Sequence, residues 1–131
     1  MQKLLIVGTG GHGRSVAEAI LLTDRFKIAG FLDDDYRIKT QVWEYPVFGP
    51  VAELGQHTGV ADAAVIAIGN NRVRERLFYM AKEAGLDMPV VVHPAAFVSL
   101  SAVVGEGSCV MAGAVVGTEA VLGCGCVINV T

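Results

Sequence analysis

From Val98 onward an aliphatic residue returns at every sixth position: Val98, Val104, Val110, Val116, Leu122 and Ile128. The fifth place of each hexad is small, with Ala102, Ser108, Ala114, Ala120 and Cys126, and the second place holds Ser99, Gly105, Met111, Gly117, Gly123 and Asn129. A helix repeats its buried face every ~3.6 residues and a half-buried strand every second residue, so neither produces this lattice. A period of six marks a parallel β-helix, in which each hexad forms one flat side, with the aliphatic residue in the shaft and the small one beside it at the corner. Residues 95–131 are therefore expected to begin a β-helix domain.

Residues 1–94 follow another grammar. Lys3 to Gly8 (KLLIVG) is a short apolar strand, followed at once by Gly8-Thr9-Gly10-Gly11-His12-Gly13, which fits G-x-G-x-x-G. Arg14 to Thr23 then pairs Val16 with Ile20 and Ala17 with Leu21 at helical spacing. Lys27 to Leu32 is a second strand that runs into Asp33-Asp34-Asp35, the first of them 20 residues past Gly13. Glycines there let the backbone turn tightly and aim N–H groups at a phosphate, while acid at the next strand end meets a ribose. The bland alternative is a tight turn without a ligand, and a solvated turn for some of the aspartates. His12 either donates to a phosphate or points to solvent, and the sequence leaves both open.

The alternation continues. Pro46 to Phe48 is a short strand, Pro50 stands at a first helical position before VAELGQ, and Ala63 to Gly69 is a third, buried strand. Asn70-Asn71 open a helix with Val73, Leu77, Met80, Ala81 and Ala84 on one face, Gly85 ends it, and Val90 to Val92 supplies the last strand of this part. The expected fold class is α/β, a Rossmann-like parallel sheet with helices on both faces. Ligands of such sheets lie at the C-terminal strand ends, where Gly8, Gly10, Gly11, His12, Gly13, Asp33, Asp34, Asp35, Gly69, Asn70 and Asn71 fall. An acidic cluster there disfavours a 2'-phosphate, which leaves NAD or a uridine nucleotide.

Composition narrows the classes. Ten basic against 13 acidic residues give a net charge of -3, and the basic ones are scattered apart from Arg72, Arg74 and Arg76, so nucleic acid is not an expected partner. Hydrophobic residues reach 53% and mean hydropathy +0.52, yet no apolar run is long enough to cross a bilayer, which points to burial on several sides or to oligomerisation. The N-terminus reads as a first strand and not as a signal peptide, so a cytoplasmic location is expected. Cys109, Cys124 and Cys126 are read as small buried thiols, with no metal expected, because Cys-X-Cys offers two ligands where structural zinc needs about four.

Both halves carry a resemblance. The [LIV]-G-x-x-[SAC]-x hexads resemble those of left-handed β-helix acyltransferases. Together with GTGGHG, FLDDD, AIGNN-x-x-R (Ala67 to Arg74) and VHPAAFVS (Val92 to Ser99), the chain is similar to the bacterial sugar O-acyltransferase family. That family includes sialic acid O-acetyltransferases and N-acetyltransferases of UDP-4-amino-4,6-dideoxy sugars in glycan biosynthesis. The resemblance implies a Rossmann-like domain that holds the nucleotide sugar and a left-handed β-helix that trimerises and binds acetyl-CoA, the co-substrate, between subunits. It assigns Gly10, Gly11, His12 and Gly13 to the phosphates and Asp34 and Asp35 to the uridine. Asn129 of VINVT marks the start of an active-site segment in which a catalytic histidine follows.

On that reading the chain is expected to be truncated before its general base and to be inactive by itself. His57 and His93 are read as structural or exposed. Two alternatives stay open: an NAD-linked oxidoreductase, which leaves the hexads unexplained, and a non-catalytic nucleotide-binding module that oligomerises through its β-helix.

Overall fold

A computed structural model describes residues 1–129. Its first unit is a five-stranded sheet in the order β3-β4-β2-β1-β5, made of β1 (Gln2–Val7), β2 (Phe26–Leu32), β3 (Gln41–Val42), β4 (Tyr45–Gly49) and β5 (Ala63–Ile66). All neighbours pair in parallel except β3 and β4, which form an antiparallel hairpin at the edge. In β1, Leu4, Leu5, Ile6 and Val7 are all fully buried, because successive side chains point to opposite faces and both faces are covered. Leu4 and Ile6 pack with Val16, Ala17 and Ile20 of α1 (Gly11–Thr23). Leu5 and Val7 pack with Leu54 of a 3-10 helix (Val51–Gln56) and with Leu77, Phe78 and Ala81 of α2 (Asn71–Glu83). Each such Leu or Val stabilises the fold by roughly 1.5–3 kcal/mol relative to exposure.

Local chemistry sets the helix ends. Asn70 accepts the N–H of Val73 at 3.0 Å and caps α2, and Gly85 follows it at φ +86°. Helix α1 starts at Gly11, three residues before the expected Arg14, because the Gly10 carbonyl already accepts the Arg14 N–H at 3.0 Å. The expected third strand is shorter than read: Ala67 to Gly69 leave the sheet. Pro50 is extended and precedes a 3-10 turn instead of opening an α-helix. None of the helices is long and apolar enough to cross a membrane, among the described residues.

The expectation that Val90 to Val92 closes this sheet is corrected. Beside β5 the ladder position is taken by Asp87, which bridges to Ala63 and accepts the Ala64 N–H at 2.9 Å. Pro89 then follows with no N–H to continue a ladder. The strand formed there, β6 (Val91–Val92), pairs instead with β9 (Cys109–Val110), and β9 with β12 (Val127–Ile128). Strands β7 (Phe97–Val98) and β10 (Val115–Val116) form a second side, and β8 (Val103–Val104) and β11 (Val121–Leu122) a third. Partners differ by 18 residues, which makes three hexads one coil.

The shaft holds Val110, Ala114 and Val116 with Val92, Ala96, Val98, Ala102, Ala120, Leu122 and Ile128, all first or fifth places of the hexad. The lattice thus begins at Val92, one hexad before the first aliphatic that the sequence makes conspicuous. Gly107, Gly113, Glu119 and Gly125, six apart, turn the corners with φ between 61° and 77°. Gly105 allows the next coil to approach: a Cβ there would stand 2.5 Å from the carbonyl carbon of Gly123. The first side faces the α/β unit, and Val91, Cys109 and Met111 join the core beneath α1. Burial pushes the Cys109 thiol up to about 12. Cys126 is half-buried, but Cys124 is exposed at a coil turn, contrary to the expectation of three buried thiols.

Candidate functional site

The C-terminal ends of β1, β2 and β5 open onto one edge, and the glycine motif divides there into two kinds of residue. Gly8 and Gly13 are required by the fold. Gly8 has φ +114° and a Cβ on it would lie 2.6 Å from the Ala67 carbonyl oxygen, while a Cβ on Gly13 would lie 2.1 Å from the Gly8 oxygen. Gly10 and Gly11 meet nothing within 4 Å. Their side of the loop is open, and α1 starts there without a side-chain cap, so the N–H groups of its first turn face the opening with the helix dipole behind them. A backbone of this shape can take an anion at close range.

Asp33 has a role that its spacing did not reveal. Its Oδ2 accepts the Thr9 N–H at 2.9 Å and the Thr9 hydroxyl at 2.6 Å, and its Oδ1 accepts the Asp35 N–H at 2.8 Å. Burial pushes this carboxyl up, but the Thr9 hydroxyl, the two N–H donors and the charge of Lys39 together hold it below the usual carboxylate value. Asp33 thereby clamps the glycine loop to the end of β2. Thr9, fully buried, is the residue missed by sequence reasoning, since the motif leaves its position free. Asp34 accepts the Val51 N–H at 3.1 Å, and both Asp34 and Asp35 are exposed beside the loop.

From the β5 side come Gly69, Asn70 and Asn71, all exposed. The Asn70 side chain is occupied as the α2 cap, and Asn71 Oδ1 accepts from Arg74 Nη2 at 2.7 Å. His12 is half-buried and its Nε2 has no partner among the described residues. Burial and the neighbouring Arg74 charge lower its pKa from the ordinary 6.5, so the ring is neutral at pH 7. His57 instead stacks on Phe48, with centroids 5.6 Å apart, and His93 accepts the Ala95 N–H at its Nδ1. Asn129 follows β12 and is exposed, and the rest of VINVT, Val130 and Thr131, lies outside the described residues. No group of three or more His, Cys, Asp or Glu that could hold a metal ion occurs among the described residues.

Residues 3–81, which include the glycine loop and the acidic turn, match the model of the PglD N-terminal domain. The chain belongs to that family. It is 38% identical over 116 residues to the UDP-N-acetylbacillosamine N-acetyltransferase of Bacillus subtilis (strain 168), a match that covers 86% of this chain and 52% of that protein. Among solved structures it is similar to the acetyltransferase domain of PglB from Neisseria gonorrhoeae FA1090 in complex with acetyl coenzyme A, at 40% identity and a TM-score of 0.87, over 98% of this chain and 62% of that one. PerB from Caulobacter crescentus in complex with CoA and GDP-perosamine is similar at 31% identity and a TM-score of 0.88, over 98% and 60%. The chain thus spans about half the length of the curated relative, and its α/β unit followed by β-helix coils is the architecture of these acetyltransferase structures.

Proposed function

We propose that this chain is the nucleotide-sugar-binding part, and the beginning of the acetyl-donor part, of an enzyme that moves acetyl from acetyl-CoA to the 4-amino group of a UDP-4-amino-4,6-dideoxyhexose in bacterial glycan biosynthesis. The observation that carries this is the strand-end edge, where Gly10 and Gly11 leave an uncapped helix start open beside exposed Asp34 and Asp35, on a unit packed directly against a β-helix. The N–H groups of the α1 first turn and neutral His12 would hold the diphosphate, and Asp34 and Asp35 the uridine. Gly69, Asn70 and Asn71 would line the same pocket, and Asp33 would serve it by fixing Thr9.

In the transfer, the amine attacks the thioester carbonyl, a base takes the amine proton, the C–N bond forms and the C–S bond breaks, releasing CoA as the thiol. His57 is stacked on Phe48 and His93 is engaged with Ala95, so neither serves as that base. A cytoplasmic location goes with acetyl-CoA as co-substrate. A homotrimer fits the β-helix surface: Phe97, Leu100, Val103, Val115 and Val121 leave its second and third sides apolar and exposed, whereas its first side is covered. Two different apolar sides suit a head-to-tail contact that closes into a ring.

Isothermal titration with UDP, a UDP-4-amino sugar and NAD tests the reading. Both uridine compounds should bind and NAD should not. Tight NAD binding without uridine binding would overturn it.

A further inference from the structure

Arg74 is the half-buried member of an otherwise exposed arginine trio, and its guanidinium is spent on four acceptors from three segments. Nη1 donates to the carbonyls of Ile68 and Gly69 at 3.1 and 3.4 Å, where the chain leaves β5. Nη2 donates to Asn71 Oδ1 at 2.7 Å, and Nε donates across the seam to the Gly125 carbonyl at 3.1 Å. Gly125 is a corner of the second β-helix coil, with φ +68°. His12, in the first turn of α1, lies close enough to feel the same charge. One planar cation therefore stands where the glycine loop, the β5 exit, the start of α2 and a β-helix corner meet.

We propose that Arg74 is a positioning residue for acetyl transfer, fixing the nucleotide edge relative to the β-helix so that a bound sugar amine is presented at the right reach. This rests on the acetyltransferase reading above. An arginine has five donors in a rigid fork, enough to hold carbonyls of both units in one plane, whereas a lysine has the charge but no fork. Since arginine has only donors, the Asn71 carbonyl oxygen must face it, and the Asn71 amide nitrogen is thereby turned away as a donor at the strand-end edge. Other polar ties across the seam include the Gly107 N–H to the Met88 carbonyl at 2.9 Å, and Lys82 to Glu106 at the far end of α2, where both side chains are exposed.

The test is steady-state transfer from acetyl-CoA to a UDP-4-amino sugar by the complete gene product, comparing Arg74→Lys with Arg72→Lys and Arg76→Lys. Arg74→Lys should lower kcat by about 10- to 100-fold, the effect of a misplacement near 1 Å. KM for both substrates should stay within about threefold, because the glycine loop is untouched. The two control variants should match wild type. An unchanged kcat in Arg74→Lys, or a loss confined to KM for the nucleotide sugar, would overturn the proposal. If wild type itself transfers nothing, the acetyltransferase reading fails, and amide hydrogen exchange on the 131-residue chain decides about Arg74 separately. Arg74→Lys should then speed exchange at both Gly125 and Val73 by about tenfold with β1 amides unchanged. Wild-type exchange at those sites would refute the joint.

Discussion

At the scale of single residues, four glycines of one motif do two different jobs. Gly8 is packed against the Ala67 backbone and Gly13 against the Gly8 backbone, whereas Gly10 and Gly11 face open space. Gly13→Ala should therefore destabilise by about 1–3 kcal/mol through overpacking, as read from urea midpoints. Gly11→Ala should leave stability unchanged or raise it by the ~0.5 to 1 kcal/mol that separates alanine from glycine in a helix, yet weaken UDP binding at least about tenfold. Equal effects of the two substitutions on stability would contradict the division. His12 yields a pH prediction. Its folded pKa lies below the ordinary 6.5, so between those values the unfolded chain holds a proton that the folded chain lacks, and stability falls as pH drops through that window. His12→Gln cannot titrate and should flatten the stability slope in the range just below pH 6.5. Urea midpoints taken across that range check it, and a slope identical to wild type would show that the ring is not held neutral by the fold.

At the scale of elements, the β-helix repeats a corner every six residues, and glycine fills it at 107, 113 and 125 but not at 119. Glu119 adopts φ 61°, where an L side chain crowds its own backbone. Its N–H donates to the Ser101 hydroxyl at 2.9 Å, which the backbone of any residue can do. Glu119→Gly should therefore stabilise the chain by about 0.5 to 1 kcal/mol, the left-handed penalty less glycine's greater chain entropy. Thermal unfolding of the pair measures it, and a lower midpoint for the variant would mean that the Glu119 side chain contributes more than its corner costs. Strand β6 shows how weakly a two-residue element is specified by its own residues. Val91 and Val92 read equally well as the last strand of the α/β sheet or as the first side of the β-helix. Asp87 and Pro89 decide between them, by filling one ladder and breaking the chain's approach to it.

At the scale of the whole molecule, the two units share a core: Val91, Cys109 and Met111 of the coils lie with Val16 and Ile20 of α1 and with the sheet residues beneath them. The proposed trimer adds a further surface, and Val115→Lys with Val121→Lys should convert it to monomers by analytical ultracentrifugation while leaving the exposed positions of one chain unstrained. A wild-type monomer at micromolar concentration would count against a contact through these sides. The sequence by itself determined the parts governed by repetition and short range. The six-residue lattice, the strand-glycine-helix order, the Asn70 cap and the Gly85 stop are each legible because their physics acts within a few residues or repeats at a fixed period. Only the tertiary structure decided that Asp33 grips Thr9, that Gly10 and Gly11 are the open pair, that β6 belongs to the coils, and that Arg74 spans the seam to Gly125. The Asp33 grip, the β6 pairing and the Arg74 span each depend on a partner 18 to 51 residues away, a distance at which spacing in the chain says nothing about which groups meet.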